Sequence, residues 1–140
     1  MDRTNDTLLL VGRLLMAAMF LPSGIGKLMG FTAFAASLAT KGLPFPMFWA
    51  VAAITIEILA AIALIIGCYT RPAALALIAF VIMATATTHR YWEFAEPARR
   101  IQEIMFSKNI GLIGGLLFYM VNGAGGWAWR GGKTSLMPAS

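Results

Sequence analysis

One cysteine and one histidine among 140 residues close off several chemistries at the outset. Cys68 alone can form neither an intrachain disulfide nor a Cys-x-x-Cys redox pair, so two-cysteine quinone chemistry within the chain is excluded. At the end of an apolar run, it reads as an inert small hydrophobe. A lone His89 excludes bis-histidine haem within one chain, and no Cys, His or carboxylate spacing suggests zinc or iron. No haem, flavin or iron–sulfur motif is present. Charge is scarce as well: 12% of residues are Asp, Glu, Lys or Arg, against roughly 25% in an ordinary soluble domain.

The charge that remains is mostly positive, with 11 Lys and Arg against 6 Asp and Glu. These bases do not cluster. They fall at the edges of apolar runs or inside them, which suits helix anchoring and anionic lipid headgroups rather than a groove that tracks nucleic-acid phosphates. Nucleic acid is therefore not an expected partner. The start of the chain does not read as a secretory signal: Asp2, Arg3 and Asp6 give no positive region, Arg13 interrupts the apolar stretch, and no A-x-A site follows. The first apolar run is expected to persist as a helix.

What the chain has in abundance is apolar surface, at 59% of residues. A soluble domain of this size could not bury so much in one core, and the lipid bilayer is the solvent that accepts it. The expectation is an all-α integral membrane protein, a four-helix transmembrane bundle forming a single domain over 1–140. Crossing ~30 Å of hydrocarbon at ~1.5 Å per residue predicts spans at about 8–28, 48–66, 72–88 and 109–127. In the first loop Phe31, Phe34, Ala35 and Leu38 recur at helical spacing, predicting a short interfacial helix that ends at Gly42. Only Gly67 to Arg71 joins the second and third spans, so those are antiparallel neighbours, with Pro72 expected at the first position of the third helix. A second surface helix opened by Pro97 is predicted in the third loop. Trp92, Phe94, Trp127 and Trp129 sit where an interfacial aromatic belt belongs.

Four crossings put both termini on one side. Basic residues are nearly balanced: Arg3, Arg71, Arg130 and Lys133 on the terminal side, with Arg13 just inside, and Lys41, Arg90, Arg99 and Arg100 on the other, with Lys27 and Lys108 at its boundary. The expectation drawn is cytoplasmic termini.

Charges inside the spans each need a reason, because one at mid-helix costs ~2.5–3.5 kcal/mol on insertion scales. Glu57 is centred in the second span on a face of small residues (Ala50, Ala53, Ala60, Ala61), so it is expected to point into the bundle. Arg13, Met16, Ala17, Phe20, Gly24 and Lys27 form one stripe of the first span, with the charges ~21 Å apart along the axis, and Pro22 frees the Ala18 carbonyl. Lys108, Gly111, Gly115, Tyr119 and Asn122 share a side of the fourth, where Gly111 and Gly115 make a small-residue contact surface. His89 and Thr85 share a face at the end nearest Lys27 and Lys108. If the small faces meet, Arg13, Lys27, Glu57, His89, Lys108 and Asn109 surround one internal polar pocket. One carboxylate then faces several cations, an excess that an electron-rich ligand would answer.

These residues resemble those of DoxX-type membrane proteins. The similarity lies in Gly12-Arg13-Leu14 through Gly24-Ile25-Gly26-Lys27, in Glu57 among small residues, and in Gly67 with Thr70-Arg71. It continues in His89-Arg90-Tyr91-Trp92, Met105-Phe106-Ser107-Lys108-Asn109 and Gly114-Gly115, and covers roughly 8–125. The tail departs from the family pattern: Gly123-Ala124-Gly125-Gly126 is followed by Trp127-Ala128-Trp129 rather than a Ser-Leu-Asp-type ending, so a role for that terminal acid is not carried over. The resemblance implies a bacterial inner-membrane subunit with a quinone-facing redox role beside a soluble enzyme partner.

The function expected is binding of a quinone or another small apolar redox-active molecule. Lys27, Lys108 and Asn109 would donate to ligand oxygens, Glu57 or His89 would carry protons, and Arg13 would hold Glu57 ionised or anchor the far end. Two alternatives belong to other classes: a non-catalytic anchor recruiting a soluble enzyme, and a homo-oligomeric transporter of a small organic anion working through the Gly111/Gly115 face.

Overall fold

The computed structural model describes residues 2–129; Arg130 and Lys133, counted above in the charge balance, lie outside them. Five α-helices follow in order: α1 (Arg3–Met29), α2 (Phe31–Thr40), α3 (Pro46–Ile66), α4 (Thr70–Thr88) and α5 (Ala98–Asn122), with a single 3-10 turn at Tyr91–Glu93. Four of them, all but α2, are long and apolar enough to cross a membrane.

Each boundary has a local cause. Gly30 separates α1 from α2, and Pro46 opens α3 in its first turn, where a missing N–H costs nothing. Gly67 ends α3 at φ +80° and gives its N–H to the Ala63 carbonyl, the left-handed C-terminal cap that glycine adopts without strain. α4 starts three residues later and must therefore run back alongside α3. The helix expected after Pro97 does form, but it does not stop: Arg99, Arg100 and Glu103 are good helix formers, nothing between Ala98 and Lys108 breaks the helix, and surface helix and fourth span are one element. The span ends at Asn122 rather than near Trp127, because Gly123 turns to φ +79°. The residues after it form a strap folded back over the terminal end of the bundle. Asp6 Oδ1 accepts from the Gly126 N–H at 2.6 Å, and Trp129 N–H donates to the Ile66 carbonyl at 3.0 Å.

α1 packs against α3, α3 against α4, and α4 against α5, with α2 laid on α3. The main core is built of small and branched side chains, among them Ala17, Phe20, Ala61, Leu64, Leu77 and Leu116; a smaller one joins Ala35 and Leu38 of α2 to Ala50 of α3. Small residues let helix backbones approach closely, the main source of cohesion where lipid is as apolar as the helices. Gly24 is the tightest such point: a Cβ there would lie 2.8 Å from Ile58 Cγ1 and 3.0 Å from Glu57 Cβ. Around this interior the outward surface is apolar, with Leu8, Leu15, Phe118 and Val121 among the exposed side chains. Apart from the Ala18 carbonyl freed by Pro22, intrahelical bonding is what satisfies backbone groups along such helices, as hydrocarbon requires.

Gly111 and Gly115 differ in their surroundings within the protomer. Gly115 packs within the protomer, 3.6 Å from Met16 Cε for an added Cβ, while Gly111 has open space.

Candidate functional site

The close approach at Gly24 sets the depth of everything else. It places Glu57 level with the last third of α1, so Lys27 is three residues away along that helix (~4.5 Å) and Arg13 eleven in the other direction (~16 Å). Lys27 is accordingly the partner of Glu57, with Nζ 2.5 Å from Oε2. Lys27 Nζ also donates to Ser23 Oγ at 2.9 Å. It lies 5.0 Å from the ring centre of Phe80 and 5.5 Å from that of Phe34, within reach of the attraction between a cation and an aromatic face. Glu57 is fully enclosed, whereas Lys27 keeps part of its stem in the open.

Of the two positions expected for Arg13, beside Glu57 or at the far end of the bundle, it takes the second. Arg13 is buried at the terminal end, where its Nη2 donates to the Trp127 carbonyl at 2.5 Å. Its guanidinium lies so close over Gly67 that a Cβ at that position would collide with Nη1. The C-terminal end of α3 presents partial negative charge there, which compensates the cation in part. Among the described residues Nε and Nη1 have no hydrogen-bond partner. Arg13 is thus a clamp on the strap, away from the polar pocket.

The other expected residues do converge. A cavity of about 150 Å³ is lined by Lys27, Glu57, His89, Lys108 and Asn109, with Ser23, Phe20, Phe80 and Leu112 among the other residues of its wall. Asn109 is buried and donates from Nδ2 to Thr85 Oγ1 at 2.9 Å; Thr85 in turn donates to the Val81 carbonyl at 2.7 Å. This chain of bonds fixes α5 against α4. His89 Nδ1 lies 2.7 Å from Gln102 Oε1. Lys108 is exposed and among the described residues makes one long contact, 3.5 Å, to Met105 Sδ.

A second, larger cavity of about 440 Å³ lies between α2, α3 and α4. Its walls are chiefly apolar, including Phe34, Leu38, Trp49, Ile56 and Met83, with Lys41 and Thr88 at its rim, where Lys41 Nζ donates to Thr88 Oγ1 at 3.2 Å. Lys27, Phe80, Ala84 and His89 line both cavities. Sequence reading missed this space, since a run of apolar residues in α2 and α3 carries no sign of the gap between them. It also missed Ser23 and Gln102, two ordinary polar residues whose importance comes from where their helices place them.

These features define a class: a multi-pass helical membrane protein with a buried ion pair and two adjoining cavities at one end of the bundle. The chain belongs to the DoxX family, whose model matches residues 8–90, from the start of the first span to just beyond His89. It is 33% identical over 121 residues to the inner membrane protein YphA of Escherichia coli (strain K12), covering 86% of each chain. It is 30% identical over 128 residues to the inner membrane protein YqjF of the same organism, covering 91% of this chain and 93% of that one. The chain is a multi-pass protein of the inner membrane. No solved structure matches it.

Proposed function

We propose that the chain is an inner-membrane subunit that binds a quinone-type molecule, ring in the small polar cavity and apolar tail in the larger one. The observation that carries this reading is the shared wall. Lys27, Phe80, Ala84 and His89 face both spaces, so a single molecule lying across them passes directly over the buried ion pair. The larger volume, about 440 Å³, falls in the ~300–1,000 Å³ range of small-molecule sites, which are mostly apolar with a few placed polar groups. The smaller, at about 150 Å³, has room for one aromatic ring and its substituents.

The chemistry follows from the lining. Lys27 and Lys108 supply cationic donors that stabilise charge developing on a ring oxygen. Glu57 and His89 are the groups able to exchange protons with it. Reduction of a quinone takes up two electrons and two protons to give the hydroquinone, and oxidation returns them. The electrons are exchanged with a soluble redox enzyme docked at the membrane surface, so catalysis belongs to the assembly.

Trp49 lines the larger cavity, which provides a direct test. Titrating the protein in nanodiscs with a short-chain quinone should quench tryptophan fluorescence saturably. Trp49→Phe should remove most of the saturable part, and Lys27→Met should weaken binding. Quenching that rises linearly with membrane quinone, unchanged in both variants, would show partitioning into lipid and refute the reading.

A further inference from the structure

The larger cavity has one wall that is held from a single side. α2 rests on α3 through Ala35, Leu38 and Ala50 and touches α1. Among the described residues its backbone nowhere comes close to α4, although both helices line the cavity. The gap between them is crossed, among the described residues, by one hydrogen bond, from Lys41 Nζ to Thr88 Oγ1 at 3.2 Å.

The ends of α2 allow it to swing as a unit. Gly30 alone separates it from α1, and hinges are commonly one or two residues at the end of an element. At the other end Gly42 turns to φ +79° and caps the helix. Its N–H goes to the Ala39 carbonyl at 3.0 Å, and the Leu43 N–H goes to the Leu38 carbonyl at 3.2 Å. Such a cap keeps the last turn closed, so Lys41 moves with α2.

The depth of the gap decides what it opens onto. α4 has 19 residues, ~28 Å of helix, close to the thickness of the hydrocarbon layer. Thr88 is its last residue and lies at the boundary of that layer. Ala79 and Met83 line the same cavity, and both are exposed. They stand nine and five residues back along α4, ~14 and ~8 Å deeper than Thr88. The open side of the cavity therefore faces acyl chains, while the Lys41–Thr88 bond closes its outer edge at headgroup level.

We propose that the ligand enters and leaves sideways from the bilayer, through the gap between α2 and α4, and that the Lys41–Thr88 bond latches α2 as the moving wall of this portal. Opening breaks one hydrogen bond, which headgroup water replaces, and leaves the contact of Ala35 and Leu38 with Ala50 as the pivot. The inference rests on the reading of the cavities as a quinone-type site and adds the direction of arrival: a solute carried in lipid reaches the ion pair without crossing water.

The test uses full-length protein in nanodiscs and stopped-flow quenching of Trp49 by a short-chain benzoquinone, with dissociation followed on mixing with excess empty nanodiscs. In a Cys68→Ser background, Lys41→Cys and Thr88→Cys are bridged by a short bis-maleimide; the same variant capped with a monofunctional maleimide is the control. The bridge should slow association and dissociation together by about tenfold or more, a larger change than one net hydrogen bond supplies. Lys41→Met removes the latch with no tether and should speed both rates together, roughly 2- to 10-fold. Loss of a ligand contact would speed dissociation alone. Bridged rates equal to those of the capped control, or a Lys41→Met effect confined to dissociation, overturn the portal and leave the binding site standing. Absence of saturable quenching in the unsubstituted protein removes the site, and the portal with it.

Discussion

Replacing Lys27 by Met and replacing Glu57 by Gln should have very different costs, although each breaks the same ion pair. Glu57 is 2% exposed and Lys27 25%. Lys27→Met leaves an enclosed carboxylate without the charged partner it has among the described residues, and removal of one member of a buried pair costs ~3–5 kcal/mol. Because Lys27 is partly open, some water already reaches the pair, and the lower end of that range applies, roughly 3 kcal/mol. Glu57→Gln acts on the other partner. The amide oxygen still accepts from Nζ, Ser23 still holds Lys27 at 2.9 Å, and the ammonium can extend toward the headgroups. A cost of about 1 kcal/mol or less is expected. The double variant should be more stable than Lys27→Met alone, because the stranded carboxylate is gone. The assay is reversible unfolding in mixed micelles with increasing SDS, followed by tryptophan fluorescence, and a double-mutant cycle extracts the coupling. Equal costs for the two single variants, or strictly additive costs in the double, would refute the placement of Glu57 as the enclosed partner.

Gly67→Ala should cost about 2 kcal/mol or more in the same assay, because it combines a φ of +80° with a Cβ driven into the Arg13 guanidinium. Gly24→Ala and Gly115→Ala should separate: the first pushes against Ile58 and Glu57 and loses about 1–3 kcal/mol. The second meets only the flexible end of Met16 at 3.6 Å and gains up to ~1 kcal/mol of helix propensity. Arg13→Met should leave overall stability within about 1 kcal/mol, as the replacement of buried ions by apolar side chains commonly does. It should also free the strap, read as faster chymotryptic cleavage at Trp127; an unchanged cleavage rate would show that the Asp6 and Ile66 contacts suffice to hold it.

The depth of each polar residue was legible from helix length and spacing, which is why Lys27, Glu57, His89, Lys108 and Asn109 could be gathered in advance. Rotation and pairing were not. Arg13 and Lys27 lie on one stripe of α1, and either could face Glu57; only the contact at Gly24, a matter of two backbones meeting, decides for Lys27. The helix that carries the fourth span starts well before the span, at Ala98, because charges at Arg99, Arg100 and Glu103 look like a boundary when counted by hydropathy yet do nothing to stop a helix. Its end was read too late, because Trp127 and Trp129 are apolar and a strap returning along the bundle has the same composition as a span. Gly123 was the available signal, since a glycine just past a helix can take the positive φ that ends it. Gln102 left no signal at all: its meaning comes from a turn of α5 that faces His89 across an intervening loop.

The central claim is that one ligand lies across the two cavities above the Lys27–Glu57 pair. A photoreactive short-chain quinone, cross-linked to the protein in native membranes and mapped by peptide mass spectrometry, tests it most directly. Label on the α4 stretch from Phe80 to Thr88 and on α3 near Trp49, competed away by unlabelled quinone, is the predicted result. Label confined to outward residues such as Phe118 and Val121, and indifferent to competitor, would contradict it.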